Sequence, residues 1–113
     1  MISDSSSIFI TVETMPEFPG GEKALSQYLD SALIYPQYAR ESNIRGIVYV
    51  SFIIEKDGSV SKVEIMRGIG GGCDEEAVRL INSMPEWVPG RQNGLPVRVQ
   101  YTLQVRFLIN PGE

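Results

Sequence analysis

Val97-Arg98-Val99-Gln100-Tyr101-Thr102-Leu103-Gln104-Val105-Arg106-Phe107-Leu108-Ile109 alternates apolar and polar residues, broken only at Leu108. Side chains of a strand point to opposite faces in turn, so the odd positions pack on a core and the even positions meet water. The run covers thirteen residues, against about five or six for an ordinary strand. A strand of that length outruns its neighbour and leaves backbone N–H and C=O groups unpaired along one edge. Exposed edges are normally shortened, bulged or blocked by proline, and here Pro96 stands only at the start of the run. The edge invites another strand.

Working upstream, Gly46 to Glu55 reads as a second strand, with Val48, Val50, Phe52 and Ile54 on one face and Ile47, Tyr49, Ser51 and Ile53 on the other. Apolar side chains on both faces predict a central position, at least partly covered on both sides. Asp57-Gly58 tolerates the positive φ of a tight turn, and Val60 to Met66 returns as the other arm of a hairpin, with Val63 and Ile65 opposite Lys62 and Glu64. Leu25, Tyr28, Leu29, Ala32 and Leu33 recur at helical spacing from Glu22 onward, and Pro36 suits the first turn of a shorter helix, Gln37 to Ser42. A further helix begins near Asp74, with Ala77, Leu80, Ile81 and Met84 as its apolar stripe, and ends at Pro85. Trp87, Pro89-Gly90 and Asn93-Gly94 predict a turn-rich connection into the terminal strand. At the other end, residues 1–7 are a polar lead-in expected to be disordered and residues 8–113 form the domain, opening with a short strand, Ile8 to Val12. Met15-Pro16-Glu17-Phe18-Pro19-Gly20-Gly21 is a shaped loop. The fold class is α+β.

Composition narrows the function by exclusion. The 113 residues carry a net charge of −4, no His and a single Cys. An acidic chain lacks the basic face that nucleic acid requires. Histidine-based acid–base catalysis, His/Cys metal clusters and an internal disulfide are unavailable. The glycine run Gly68–Gly72 lacks the Lys-Ser/Thr ending of a phosphate loop, and Asp74, Glu75 and Glu76 beyond it would repel a phosphate; they suit the positive end of a helix dipole instead. Cys73 has no base beside it and reads as a small, semi-buried side chain. Trp87 reads as an anchor fastening a loop to the core. Arg98 and Arg106, on the polar face of the terminal strand, either grip an acidic partner or are solvated. The composition favours a binding module over an enzyme, without cofactor or metal.

Five segments, in this order, resemble a known family: the Met15–Gly21 loop; Tyr35-Pro36 with Ala39 and Arg40; Gly46-Ile47-Val48-Tyr49-Val50; Asp57-Gly58-Ser59-Val60; and Met84-Pro85-Glu86-Trp87-Val88-Pro89-Gly90 before the long terminal strand. Together, over roughly residues 12 to 109, they resemble the C-terminal domain of TonB in the form typical of Bacteroidetes-type energy transducers. The resemblance implies a three-stranded antiparallel sheet with two main helices on one face, to which the leading strand is an addition. It also implies a periplasmic domain whose parent is anchored in the inner membrane and coupled to an ExbB/ExbD-type motor. Such a domain captures the TonB box of outer-membrane receptors by strand addition and transmits a pull derived from the proton-motive force for nutrient import. The partner-binding residues carried over are Tyr35, Pro36, Val99, Gln100, Tyr101, Thr102, Leu103, Gln104, Val105, Arg106 and Phe107. A homodimer formed through the same edge, in a domain fused to a membrane sensor peptidase, is the alternative.

Overall fold

The structure, a computed structural model, describes residues 7–108. Its backbone is the antiparallel pairing of β2 (Gly46–Ile54) with β5 (Leu95–Phe107), which runs unbroken from Gly46 opposite Phe107 to Ile54 opposite Val99. β3 (Val60–Arg67) lies on the other side of β2, and β1 (Ile8–Phe9) runs parallel beside β5, giving the order β1-β5-β2-β3. β4 (Gly90–Gln92) folds back on the first residues of β5. Three helices complete the described residues: α1 (Gly21–Ala32), α2 (Gln37–Glu41) and α3 (Cys73–Asn82). The α+β architecture expected from the sequence is present.

β2 is central because its helix-side residues are apolar without exception. Val48, Val50, Phe52 and Ile54 are fully buried and cluster with Leu25 of α1 and Ala77, Leu80 and Ile81 of α3. Burying each such side chain is worth about 1.5–3 kcal/mol. On the other face Ser51 and Ile53 are also buried, while Ile47 and Tyr49 are half-buried, and Gln100 Nε2 donates to Ser51 Oγ at 3.0 Å. A small hydroxyl with a polar partner lets that face close without a second helix layer.

β3 departs from simple alternation. Ser51 faces Glu64 and Ile53 faces Ser61, so two steps along β2 meet three along β3, and Lys62 takes up the extra residue at φ 51°. This bulge brings Val60, Val63 and Ile65 together against the core, whereas strict period two puts Val60 on the side of Lys62. The hairpin turn closes by a Gly58 N–H bond to Glu55 C=O, with Asp57 Oδ1 accepting from Ser59 N–H and Oγ–H.

Two other differences concern short strands. The leading strand expected over Ile8 to Val12 is only two residues long, because Ile10 and Thr11 bend away and Glu13–Glu17 instead runs against the chain after Trp87. Thr14 and Arg91 exchange both backbone hydrogen bonds, as do Glu17 and Val88. The turn-rich connection contains β4, joined to β5 through the two-residue turn Asn93-Gly94 at φ 54° and 78°. Two positive φ angles match the right-handed twist of a hairpin, so the dipeptide marked a strand pair and not a mere loop. Of the expected lead-in, residues 1–6 lie outside the described residues, as does Ile109.

Trp87 anchors this connection. It is 3% exposed, edge-on to Phe18 with ring centroids 5.5 Å apart, and tilted against Phe52 and Tyr101. Its backbone N–H donates to Gly58 C=O at 2.8 Å, and a Cβ on Gly58 would stand 2.0 Å from the Trp87 carbonyl oxygen. Gly58→Ala is therefore expected to cost about 2–4 kcal/mol, adding a backbone clash to left-handed strain. Gly94→Ala, with positive φ but open space around it, is expected to cost about 1–2 kcal/mol; urea denaturation of both variants checks the difference.

Candidate strand-docking edge

β5 carries different neighbours along its length. Leu95, Pro96 and Val97 face β4, and Arg98 and Val99 face Ile8 and Phe9 of β1. Val99 is also opposite Ile54 of β2, so both its flanks are filled. From Gln100 to Phe107 the strand is paired by β2 alone among the described residues. The open flank therefore begins after Val99: the leading segment covers the start of the edge and leaves eight residues, Gln100 to Phe107, available. Val99 is thereby separated from the other strand residues carried over from the resemblance.

Within that flank the predicted alternation holds. Gln100, Thr102, Gln104 and Arg106 are exposed, Val105 and Phe107 are buried, and Tyr101 and Leu103 are half-buried. Tyr35 is brought to the end of the same strand: its ring meets Phe107 edge-on at 5.6 Å, its hydroxyl donates to Ile44 C=O, and the Arg40 guanidinium lies 4.9 Å over its face. Pro36 follows in extended conformation as the cap of α2. The two arginines divide. Arg98 is bound to Glu55 at 2.7 Å, and this hydrogen bond holds the Glu55 carboxyl below its ordinary range despite partial burial. Arg106 is exposed and donates a long bond, 3.4 Å, to Gln104 Oε1.

Sequence reasoning missed the groove above this edge. Leu29 and Leu33, read as part of the α1 stripe, are half-buried against the core and border the open flank. A pocket of about 150 Å³ lies between Leu29, Asp30 and Leu33 and the segment Gln104–Arg106. A second, of about 490 Å³, lies among Glu17, Glu22, Leu25, Trp87 and Tyr101. The excess of apolar residues on the α1 stripe was the available signal; which of them border the flank depends on where α1 crosses the sheet.

The described residues contain one Cys and no His. They hold no group of three or more His, Cys, Asp or Glu side chains able to bind a metal. Cys73 is fully buried, and burial followed by the charges of Asp74, Glu75 and Glu76 pushes its thiol up, the wrong direction for a nucleophile.

Residues 31–109 match the family described as Gram-negative bacterial TonB protein C-terminal. The chain belongs to the TonB C-terminal family. Two solution NMR structures of the Helicobacter pylori TonB C-terminal domain share its fold. One superposes with TM-score 0.53 at 22% identity, covering 78% of this chain and 95% of that one. The other gives 0.52 at 21%, covering 81% and 89%. No curated protein matches the chain. The family is one of interaction and transduction domains, periplasmic and non-enzymatic. No helix among the described residues is long and apolar enough to cross a membrane.

In this TonB domain the approach to Tyr35 is held by a buried charge. Glu76 Oε2 accepts from Ile34 N–H at 2.7 Å, both Glu76 oxygens bind Arg79, and Arg79 Nη2 donates to Ala32 C=O at 2.9 Å. The end of α1 is thus tied to α3, and Tyr35 is placed against Phe107. Burial alone would raise the Glu76 carboxyl, but the Arg79 and Ile34 hydrogen bonds and the Arg79 charge outweigh it and hold the group below its ordinary 4.5. A lowered folded pKa gives stability that is present above the unfolded value and is lost as pH falls through the folded one. Glu76→Gln is expected to lose about 1–3 kcal/mol at pH 7, and the gap to the unaltered domain to narrow as pH drops below 4.5; urea midpoints between pH 7 and pH 3 measure it.

Proposed function

We propose that the open flank of β5, Gln100 to Phe107, receives the TonB box of outer-membrane TonB-dependent receptors as an added strand. The observation that carries this reading is the eight-residue edge left by β1, which stops at Val99. Alternate residues of an edge strand direct N–H and C=O outward, so about half of the eight are available for pairing. Each hydrogen bond is worth about 0.5–1.5 kcal/mol net, while ordering an incoming segment costs about 2–5 kcal/mol. The contact is weak and reversible, as a carrier that must engage and release requires. Main-chain pairing also tolerates varied receptor sequences.

In this reading the parent is anchored in the inner membrane, an ExbB/ExbD-type motor supplies the pull, and the domain works in the periplasm to drive nutrient import. Tyr35 and Pro36 stand at the Phe107 end and bound the docked segment there. Titration of the ¹⁵N-labelled domain with a receptor TonB-box peptide is expected to shift the amides of Gln100–Phe107 more than those of β3. N-methylation of alternate peptide residues is expected to abolish binding in one of the two phases and spare it in the other. Shifts confined to α2 and α3 would reject the edge, and a concentration-dependent dimer that ignores the peptide would favour self-pairing.

A further inference from the structure

The open flank has a roof. α1 passes above it, and the two pockets described above lie along the line between helix and strand, one at Tyr101 and the other at Val105. A strand laid against β5 directs alternate side chains upward into that space and the rest downward to water. The lining of each pocket therefore bears on which side chains are accepted.

The pocket at Tyr101 combines two carboxylates with aromatic surface. Glu17 and Glu22 are exposed on its rim, Trp87 and Tyr101 form its wall, Leu25 lies at its back, and no Lys or Arg is among its lining residues. The Glu22 charge is felt at Tyr101, whose phenol is raised first by burial and then by this carboxylate. Acid beside aromatic faces suits a long cationic side chain: its stem packs on apolar surface while the head meets the carboxylates and the ring faces. The pocket at Val105 is different. Leu29, Leu33 and Val105 give it an aliphatic side, Ser26 and Gln104 a neutral polar one, and Asp30 and Arg106 bring opposite charges, so it carries no net charge.

We propose that this groove selects among docked segments by their side chains: a Lys or Arg entering the pocket at Tyr101 and an aliphatic residue entering the pocket at Val105. Tyr101 and Val105 are four residues apart, about 13 Å along a strand, so the two recognised side chains stand at positions i and i+4 of the incoming segment and share one face. The inference rests on strand docking at β5 and adds a sequence preference to it. It also gives the Met15–Phe18 loop a task, since that loop supplies Glu17 and closes the acidic pocket.

The test uses the ¹⁵N-labelled domain and a ten-residue host peptide of Thr, Val and Ser, carrying Lys at each position in turn and Gln at the same positions as control. Amide shifts of Gln100–Phe107 report docking and give the affinities. Lys is expected to bind about threefold to tenfold more tightly than Gln at one position only, with Leu preferred over Ser four residues away. The double variant Glu17→Gln/Glu22→Gln changes two exposed side chains; it is expected to erase the Lys preference and leave binding of the Gln peptides unchanged. An equal gain from Lys at every position would mean general attraction to an acidic domain and would overturn the pocket assignment, as would a preference that survives in the double variant. In both cases the β5 shifts would persist and docking would stand. If no host peptide moved the β5 amides, docking and selection would fall together.

Discussion

The structure depends on the pairing of β2 with β5. Nine consecutive residue pairs, from Gly46 with Phe107 to Ile54 with Val99, join segments far apart in the chain, and the other described strands each pair with one of these two. β3 adds to β2 through a short turn. β4 adds to the portion of β5 that overhangs β2, and β1 to Arg98 and Val99 where the overhang ends. The helices cover the one face where β2 presents only apolar side chains. Long-range pairing of this kind carries a loop-closure cost that local contacts do not. The buried β2 residues and the Val105 and Phe107 side chains of β5 supply the compensating burial.

Unequal strand length decides where the short strands sit, and the open flank lies on the stretch that β2 matches. β5 has thirteen residues and β2 nine, and the four extra residues project at the β4 end, where β4 and β1 pair with them or beside them. The opposite end of β5 is matched by β2 on one side and by nothing among the described residues on the other. Placing the short strands at the overhang fixes β5 in position while leaving its outer flank open. A longer β1 would have sealed it. Ile10 and Thr11 bend instead, and the chain turns to pair with β4 through Thr14 and Arg91.

Much of this was legible in the sequence, and the reasons differ by element. The alternation over Val97–Phe107 identified β5 and its polar face, since a half-buried strand imposes period two directly on residue type. The apolar runs of β2, α1 and α3 were likewise readable. The bulge at Lys62 was not, because an inserted residue shifts the phase without leaving a composition signal. β4 was present as Asn93-Gly94, a turn dipeptide whose hairpin meaning needs a strand on each side, and three residues are too few to show a period. The site was half visible. Strand length pointed to an open edge at the overhang, but β4 and β1 pair those residues and the open flank lies opposite β2; the groove above it depends on where α1 crosses the sheet. Likewise Glu76, read as a favourable charge at a helix start, proved to be a buried tie to Ile34; partners so distant in sequence leave no spacing to read.

The same geometry bears on how the domain could carry force. A strand docked on β5 as proposed lies parallel or antiparallel to it, so tension along that strand shears several backbone hydrogen bonds at once and does not peel them singly. On its other side β5 is held by the nine-pair ladder to β2 and by Val99, Val105 and Phe107, which are fully buried or nearly so. The docked segment has at most eight residues of flank and a roof made of half-buried α1 side chains. Under load the outer contact is the weaker of the two, so the visiting strand would leave before β5 was stripped from the sheet, and the domain would survive each pull intact.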